Sequence, residues 1–284
     1  MPTFSTPAPI LAVIEFAVGD TRVSASDRDD TVVEVRPSDE SRDADVRAAE
    51  QTRVEYAAGR LLVKGPKQRN PFGKPGSIDV TVGLPAGSKV RGEAGVAGFR
   101  GEGRLGDCRL SSGVGDIVLD ETDALDVSTG AGAVTVDQVN GTADITTGSG
   151  RARLRGVHGN AVIKNSNGDT WIGDVDGDLR IKSANGSVDV ERAWSGAEIS
   201  TAHGDLRVGG LTQGSASLKT AFGGIEIGVR NGTTARLDLN TQLGTVHNQM
   251  ETAEPPGPAD QAVDVYARTG YGDITIHRSS GESS

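Results

Sequence analysis

The stretch NSNGDTWIGDVDGDLRIKSANGSVDVERAWSGAEISTAHGDL, Asn165 to Leu206, decides the fold. In it a phrase of a small polar residue, a glycine, often an aspartate and then alternating apolar residues recurs every 18 residues. The same phrase continues in both directions with gaps of 17 to 28 residues. The repeat glycines are Gly98, Gly115, Gly132, Gly150, Gly168, Gly186, Gly204, Gly223, Gly244 and Gly272. Such a regular period is the signature of a stacked repeat array.

Four positions are apolar in most of the repeats: seven and five residues before the glycine, and two and four residues after it. In the repeat of Gly186 these residues are Leu179, Ile181, Val188 and Val190. A spacing of two is the period of a β-strand. One coil cannot bury its own apolar face, but a second coil stacked about 4.8 Å along the axis continues every column. We therefore predict an all-β fold, a parallel β-solenoid (β-helix) with about 18 residues per coil.

Two further columns refine this prediction. Weaker apolar residues seven after the glycine indicate a third short side; they are Val139, Val157, Val175 and Leu211. Three before the glycine, the inward residue is polar, and we expect it to hydrogen-bond along the column and to the turn backbone. This polar column contains Ser112, Thr129, Thr147, Asn165, Ser183, Thr201, Thr220, Thr241 and Thr269.

The single cysteine, Cys108, lies in an apolar column and is predicted to be a core residue.

Residues 1–90 are less regular, and we predict that they cap the solenoid formed by residues 91–284. The run SDESRDADVRAAEQ (38–51) predicts one helix of about three turns with a serine or aspartate at its N-cap. Arg53–Tyr56 and Leu61–Lys64 have the spacing of a hairpin. At the other end, the proline-rich segment Met250–Gln261 is predicted to be a loop that can shield the last coil. The predicted assembly is a monomer or a weak end-to-end oligomer.

Charge and segment composition exclude several classes of protein. The 284 residues carry a net charge of −10, which argues against binding to nucleic acid. The one basic run, Arg151, Arg153 and Arg155, is expected to face solvent. The first twenty residues lack a basic n-region and a small-residue cleavage site, and no stretch has the 18 apolar residues of a membrane span. We therefore expect a cytoplasmic protein without a membrane span.

Phrases across nearly the whole chain resemble those of one family. They are GDTRVSASDRDDTVVEVRPSD (19–39), RAAEQTRVEY (47–56), VTVGLPAGSKV (80–90), TTGSG (146–150), KNSNGD (164–169), SANGS (183–187) and TGYGDITI (269–276). They resemble the bacterial β-strand-repeat family labelled "putative adhesin", a domain of unknown function, and its actinobacterial branch in particular. The resemblance implies a β-solenoid, but a fold does not by itself fix a function.

Two sets of acidic residues are candidates for a catalytic or metal-binding role. Parallel β-helix enzymes that cleave polysaccharides need an acid and a base on one face. The column one after the glycine is acidic only at some coils, so we interpret its aspartates as turn residues that bond their own backbone. These aspartates are Asp116, Asp169, Asp205 and Asp273. The run Asp174, Asp176 and Asp178 resembles the start of a calcium loop, but the twelfth position is Asn185 rather than glutamate. We predict no metal and no cofactor.

A turn edge is the remaining candidate for a binding site. The repeat places Asn140, His158, Asp176 and Trp194 in one column. The candidate ligand edge, for a sugar or a peptide, consists of His158, Asp174, Asp176, Asp178 and Trp194. The alternative is a solvent-facing edge without a ligand. We predict a non-catalytic scaffold or protein-interaction module whose long faces bind a protein partner. The alternatives are a carbohydrate-active β-helix enzyme and an exported surface adhesin.

Overall fold

The computed structural model describes residues 1–66, 75–250 and 261–279. It has an N-terminal unit, Met1–Gly141, and a C-terminal unit, Thr142–Ser284. Both are built from parallel coils of β-strands, so the predicted all-β solenoid with one short helix is confirmed. Most of the Met250–Gln261 segment, residues 251–260, lies outside the described residues. The predicted division at residue 90 stays a prediction.

The described residues of the N-terminal unit, 1–66 and 75–141, form one helix and eleven strands. Their bounds are β1 (Thr3–Ser5), β2 (Leu11–Ser26), β3 (Asp30–Pro37), α1 (Asp43–Gln51), β4 (Arg53–Ala57), β5 (Arg60–Lys64), β6 (Ser77–Pro85), β7 (Lys89–Arg104), β8 (Cys108–Val114), β9 (Ile117–Thr122), β10 (Leu125–Ala131) and β11 (Val134–Val139).

The described part of the C-terminal unit contains strands only. Their bounds are β12 (Ala143–Ser149), β13 (Ala152–Val157), β14 (Ala161–Asn167), β15 (Thr170–Val175), β16 (Leu179–Asn185), β17 (Val188–Ala193), β18 (Ala197–His203), β19 (Leu206–Leu211), β20 (Gly214–Phe222), β21 (Ile225–Val229), β22 (Thr234–Leu243), β23 (Val246–Asn248), β24 (Ala262–Tyr271) and β25 (Ile274–Arg278).

Each regular coil consists of two strands that meet at the repeat glycine, as β16 and β17 meet at Gly186. The strands pair in parallel with the same strands of the neighbouring coils, so that Ile181 lies between Ile163 and Ile199. All three isoleucines are buried. The predicted apolar columns are therefore the core of the solenoid.

The residues of the predicted third side do not form a strand of their own. Val157 and Val175 are the last residues of β13 and β15 and pair with each other in register. They are buried, as are Val139 and Leu211 at the same position. The second strand of the coil thus continues through this column, and each regular coil has two strands rather than three.

The polar column makes the predicted hydrogen bonds to turn backbone. The Thr269 hydroxyl donates to the Gly223 carbonyl at 2.8 Å, and the Thr220 hydroxyl donates to the Gly204 carbonyl at 3.1 Å. In the coil of Gly168 an amide replaces the hydroxyl, and Asn165 Nδ2 donates to the Gly150 carbonyl at 3.1 Å. Each bond ties a coil to the turn glycine of the coil below it. The column is therefore a row of cross-coil bonds at the corner, interrupted at Thr147 and Ser183, whose buried hydroxyls have no hydrogen-bond partner among the described residues.

Cys108 is buried in the N-terminal unit, as predicted for a core residue. Burial in apolar surroundings raises the pKa of its thiol to about 11, because the thiolate cannot be solvated there. The thiol therefore stays protonated and unreactive at neutral pH.

The corner of the first coil differs from the prediction. Gly98 lies within the continuous strand β7, and Ala97 rather than Gly98 occupies the turn column, with its carbonyl against Gly115. The strand β2 lies beside β7, and there Gly19 takes the left-handed conformation at φ +143°. A Cβ at Gly19 would lie 1.7 Å from the Ile78 carbonyl oxygen, so only glycine fits.

Antiparallel strands flank the parallel coils of the N-terminal unit, because β3 pairs antiparallel with β6 and β4 pairs antiparallel with β5. The predicted hairpin of β4 and β5 is thus confirmed.

The helix α1 connects β3 to β4 and packs against β3 and β6. The buried Asp45 of α1 accepts a hydrogen bond from the Ser77 N–H at 3.0 Å. The predicted serine or aspartate N-cap is wrong, because the N-cap is Arg42 and makes no side-chain capping bond.

The last coils of the C-terminal unit do not stack in the order of the chain. The strand β24 pairs with β20 on one side and with β22 on the other, and β25 lies between β21 and β23 in the same way. The coil of Gly272 is therefore inserted between those of Gly223 and Gly244. Val265, Ile274 and Ile276 belong to the last repeat in the sequence, yet they are buried between two coils. The outermost coil in the described residues is that of Gly244.

We predict that Gly223→Ala lowers the free energy of unfolding by about 2 kcal/mol or more. Gly223 has φ +148°, and a Cβ there would lie 2.2 Å from the Gly204 carbonyl oxygen. Gly224→Ala is the matched control, because its Cβ would meet no atom closer than 3.5 Å. Urea denaturation measures both variants. Equal stabilities of the two would contradict the assigned role of the repeat glycines.

Candidate functional site

The candidate ligand edge forms in the C-terminal unit, where the chain leaves the second strand of successive coils. Asp176 donates its backbone N–H to the Val157 carbonyl, and Trp194 donates its N–H to the Val175 carbonyl, both at 3.0 Å. These equivalent bonds place His158, Asp176 and Trp194 at one position of three neighbouring coils, as the repeat predicts. Asn140 belongs to the N-terminal unit.

The side chains of the ligand edge are paired with one another or with neighbours. His158 Nδ1 lies 2.7 Å from Asp176 Oδ2, and both side chains are at least half exposed. Asp174 forms a two-pronged ion pair with Arg192, in which Nη2 lies 2.9 Å from Oδ2. Exposed pairs of this kind contribute little stability singly. They do cross-link neighbouring coils, and they neutralise charge that a ligand would otherwise meet.

The remaining two residues of the edge are also engaged. Asp178 Oδ1 accepts hydrogen bonds from the Ser195 hydroxyl at 2.9 Å and from the Gly196 N–H at 3.2 Å. The indole of Trp194 lies under the Arg230 guanidinium, whose carbon is 4.7 Å from the ring centroid. A cation on the ring face is a favourable contact, and it occupies the surface that a sugar or a flat ligand would use.

The aspartates that follow the repeat glycines also hold the coils together. Asp116 accepts a hydrogen bond from the Ala133 N–H at 2.7 Å, and Asp205 accepts one from the Gly224 N–H at 2.8 Å. Each acceptor thus bonds the equivalent position of the next coil. We expected these aspartates to bond their own turn, and that detail is wrong. Because the carboxylate carries the charge, these are the stronger kind of hydrogen bond.

An exposed apolar stripe is the feature that the sequence analysis missed. It consists of His203, Phe222, Tyr271 and Leu243, each the residue before its repeat glycine. The His203 and Phe222 rings stack at 5.0 Å, and the Phe222 and Tyr271 rings stack at 4.8 Å with an interplanar angle of 6°. Phe222, Tyr271 and Leu243 are 47%, 50% and 61% exposed. Reading the column one before the glycine would have found all four.

The geometry of the stripe limits what it can bind. Because the inner rings stack face to face, their edges rather than their faces meet solvent. Leu243 lies opposite Tyr271 in the strand register and extends the stripe on the far side. Contiguous exposed apolar groups of this kind mark interaction surfaces in soluble proteins. The stripe therefore suits apolar side chains of another protein better than a flat ligand that stacks on ring faces.

The parallel coils and the glycine corners of the described residues define a β-solenoid domain. The chain belongs to the Toastrack DUF4097 family, which matches residues 13–284. This confirms the family that the sequence phrases indicate; the actinobacterial branch stays a prediction. No curated protein sequence matches the chain. No helix in the described part of the chain has the length and apolar character needed to cross a membrane.

Several solved bacterial structures are similar over almost their whole length. A "putative adhesin" from Bacteroides fragilis is 11% identical, with a TM-score of 0.39, covering 97% of this chain and 95% of its own. A "putative lipid binding protein" from Parabacteroides distasonis is 9% identical, with a TM-score of 0.38, covering 98% and 96%. A "putative adhesin" from Parabacteroides merdae is 11% identical, with a TM-score of 0.35, covering 98% and 95%. Likeness at this level carries no argument about function.

We predict that millimolar calcium leaves the melting temperature unchanged. Among the described residues no three His, Cys, Asp or Glu side chains converge where they could hold a metal ion. An ion at the edge would also have to displace His158 from Asp176. Bound calcium would raise the melting temperature by mass action. A rise of several degrees that Asp176→Ala abolishes, and that the exposed control Asp144→Ala retains, would contradict the prediction.

Proposed function

We propose that this protein is a non-catalytic β-solenoid scaffold that binds a protein partner through its apolar stripe. The observation that carries the proposal is the stripe itself, in which Phe222, Tyr271 and Leu243 are all about half exposed or more. Leaving three large apolar side chains in water is unfavourable by about 25 cal/mol for each Å². A partner that covers the stripe recovers this free energy. Aromatic residues are also enriched at the centres of protein interfaces.

The use of the acidic residues supports a non-catalytic role. A glycosidase needs two carboxyl groups on opposite sides of the scissile bond, one of them free to donate a proton. Here Asp169, Asp205 and Asp273 each accept a backbone N–H from the neighbouring coil. Asp174 and Asp176 are paired with Arg192 and His158. These carboxylates therefore serve cohesion between coils.

The partner is expected to depend on the aromatic rings of the stripe. The wild-type protein, immobilised, captures a partner from the lysate of its own cells, and the double variant Phe222→Ser/Tyr271→Ser loses it. Tyr266→Ser is the matched control, because Tyr266 is an exposed aromatic on β24 outside the stripe. Mass spectrometry identifies the captured protein, and calorimetry with the purified pair measures its affinity. Equal affinities for wild type and the double variant would contradict the proposal.

No polysaccharide is expected to be cleaved. The purified protein is incubated with a broad set of polysaccharides, and new reducing ends are measured. Cleavage that Asp169→Ala or Asp205→Ala abolishes, in a variant with unchanged circular dichroism, would establish the carbohydrate-active alternative. The exposed Asp144→Ala on β12 is the control for an unspecific effect of charge removal.

A further inference from the structure

The strand β22 is the edge of the C-terminal unit among the described residues. It pairs with β24, and the structure describes no strand on its other side. Its inward residues Leu237 and Leu239 are only half-buried, and Val246 of β23 is 39% exposed. Their counterparts one coil inward, Val265 and Ile274, are buried. The apolar columns of the core thus reach the surface at β22 and β23.

The backbone of β22 also presents outward N–H and C=O groups to which another strand could bond. In inner coils, the residue seven before the repeat glycine donates its N–H to the next coil, as Ala161 does to Asp178 at 2.9 Å and Leu179 does to Gly196 at 2.8 Å. Leu237 holds this position in β22. Thr234 donates to the Gln261 carbonyl at 2.9 Å, so the even-numbered residues of β22 bond β24. The N–H and C=O groups of Ala235, Leu237 and Leu239 therefore point away from the unit.

The N-terminal unit indicates what kind of strand closes such an edge. There β5 and β6 are covered by β4 and β3, and both pairings are antiparallel. A parallel neighbour would need another repeat coil, whereas an antiparallel neighbour needs a single extended strand. A second copy of the chain can supply such a strand from its own β22, because a two-fold axis makes identical strands antiparallel.

We propose that two copies of this protein pair through their β22 strands, antiparallel and centred on Leu237. In this register the two Leu237 residues lie opposite each other, and Leu239 lies opposite Ala235 of the partner subunit. On the outer face, Arg236 lies opposite Asp238 of the partner subunit, and symmetry forms this pair twice. The inference does not depend on the partner proposed for the apolar stripe.

Charge selects this register over its two immediate neighbours, centred on Arg236 and Asp238, and over the register centred on Leu239. Centring the pair on Arg236 would place two arginines directly opposite each other, which is unfavourable. Centring the pair on Asp238 would place two aspartates directly opposite each other, which is unfavourable. Centring it on Leu239 would place Asp238 opposite Asn240 and Arg236 opposite Gln242, without any charge pair. Within the unit, Arg236 lies 3.6 Å from Asp264, and Asp238 lies 2.6 Å from Arg268. These ion pairs position both side chains on the outer face of β22.

Sedimentation velocity over a concentration series tests the proposal with two charge variants. The wild-type protein is expected to sediment as a dimer that dissociates on dilution. Arg236→Asp alone and Asp238→Arg alone each place like charges opposite each other twice, so each should raise the dissociation constant about tenfold or more. An equimolar mixture of the two variants should recover the wild-type dimer, because a mixed pair again places Asp opposite Arg at both positions.

The control is Arg180→Asp, which removes an exposed ion pair with Glu198 on an inner coil and should leave the dimer unchanged. Circular dichroism checks that every variant is folded. A wild-type monomer at all concentrations would overturn the proposal. A dimer that both single variants retain would overturn it as well. Recovery in the mixture supports the Leu237 register specifically, because no other register considered pairs these two positions.

Discussion

From Gly168 onward, the repeat glycines lie directly against the carbonyl group of the repeat glycine in the neighbouring coil, and this contact sets the register of these coils. A Cβ at Gly186 or Gly204 would lie 2.2 Å from the carbonyl oxygen of the glycine before it. The left-handed backbone there, at φ +131° and +141°, is costly for any other residue. Because one corner fixes both strands, a shift of a single residue would turn all apolar side chains outward.

The other polar groups of the corner are organised around the same contact. In most coils a hydroxyl or amide three residues before the glycine donates to the carbonyl of the neighbouring turn, as Thr241 does to Gly272 at 2.8 Å. An aspartate after the glycine accepts the N–H of the next coil, as Asp273 does from Thr245 at 2.8 Å. The acidic residues most suggestive of chemistry in the sequence are thus used for cohesion. What remains free to vary is the outward face and the residue before each glycine.

The sequence predicts the fold well because each apolar column depends only on strand period and repeat length. It also predicts that His158, Asp176 and Trp194 share a column. It does not predict the order of the last coils, since Leu237 and Val265 fit the same column equally well in either position. Nor does the sequence predict the contact of Arg230 with the Trp194 ring, because the two residues occupy different positions of the repeat. The corner at Ala97 was missed because a neighbouring glycine, Gly98, fits the period almost as well.

The inserted coil changes which part of the chain is exposed at the edge. A chain end at the edge of a sheet has a partner on one side only and frays easily. Here β24 and β25, the last described strands, have partners on both sides. The first long strand, β2, likewise lies between β7 and the strands β5 and β6. The edge falls instead on β22, which is held in the chain at both ends. Because β22 is also paired with β24 on one side, it is already extended. A second strand that pairs with its other side therefore does not require β22 to lose further conformational entropy.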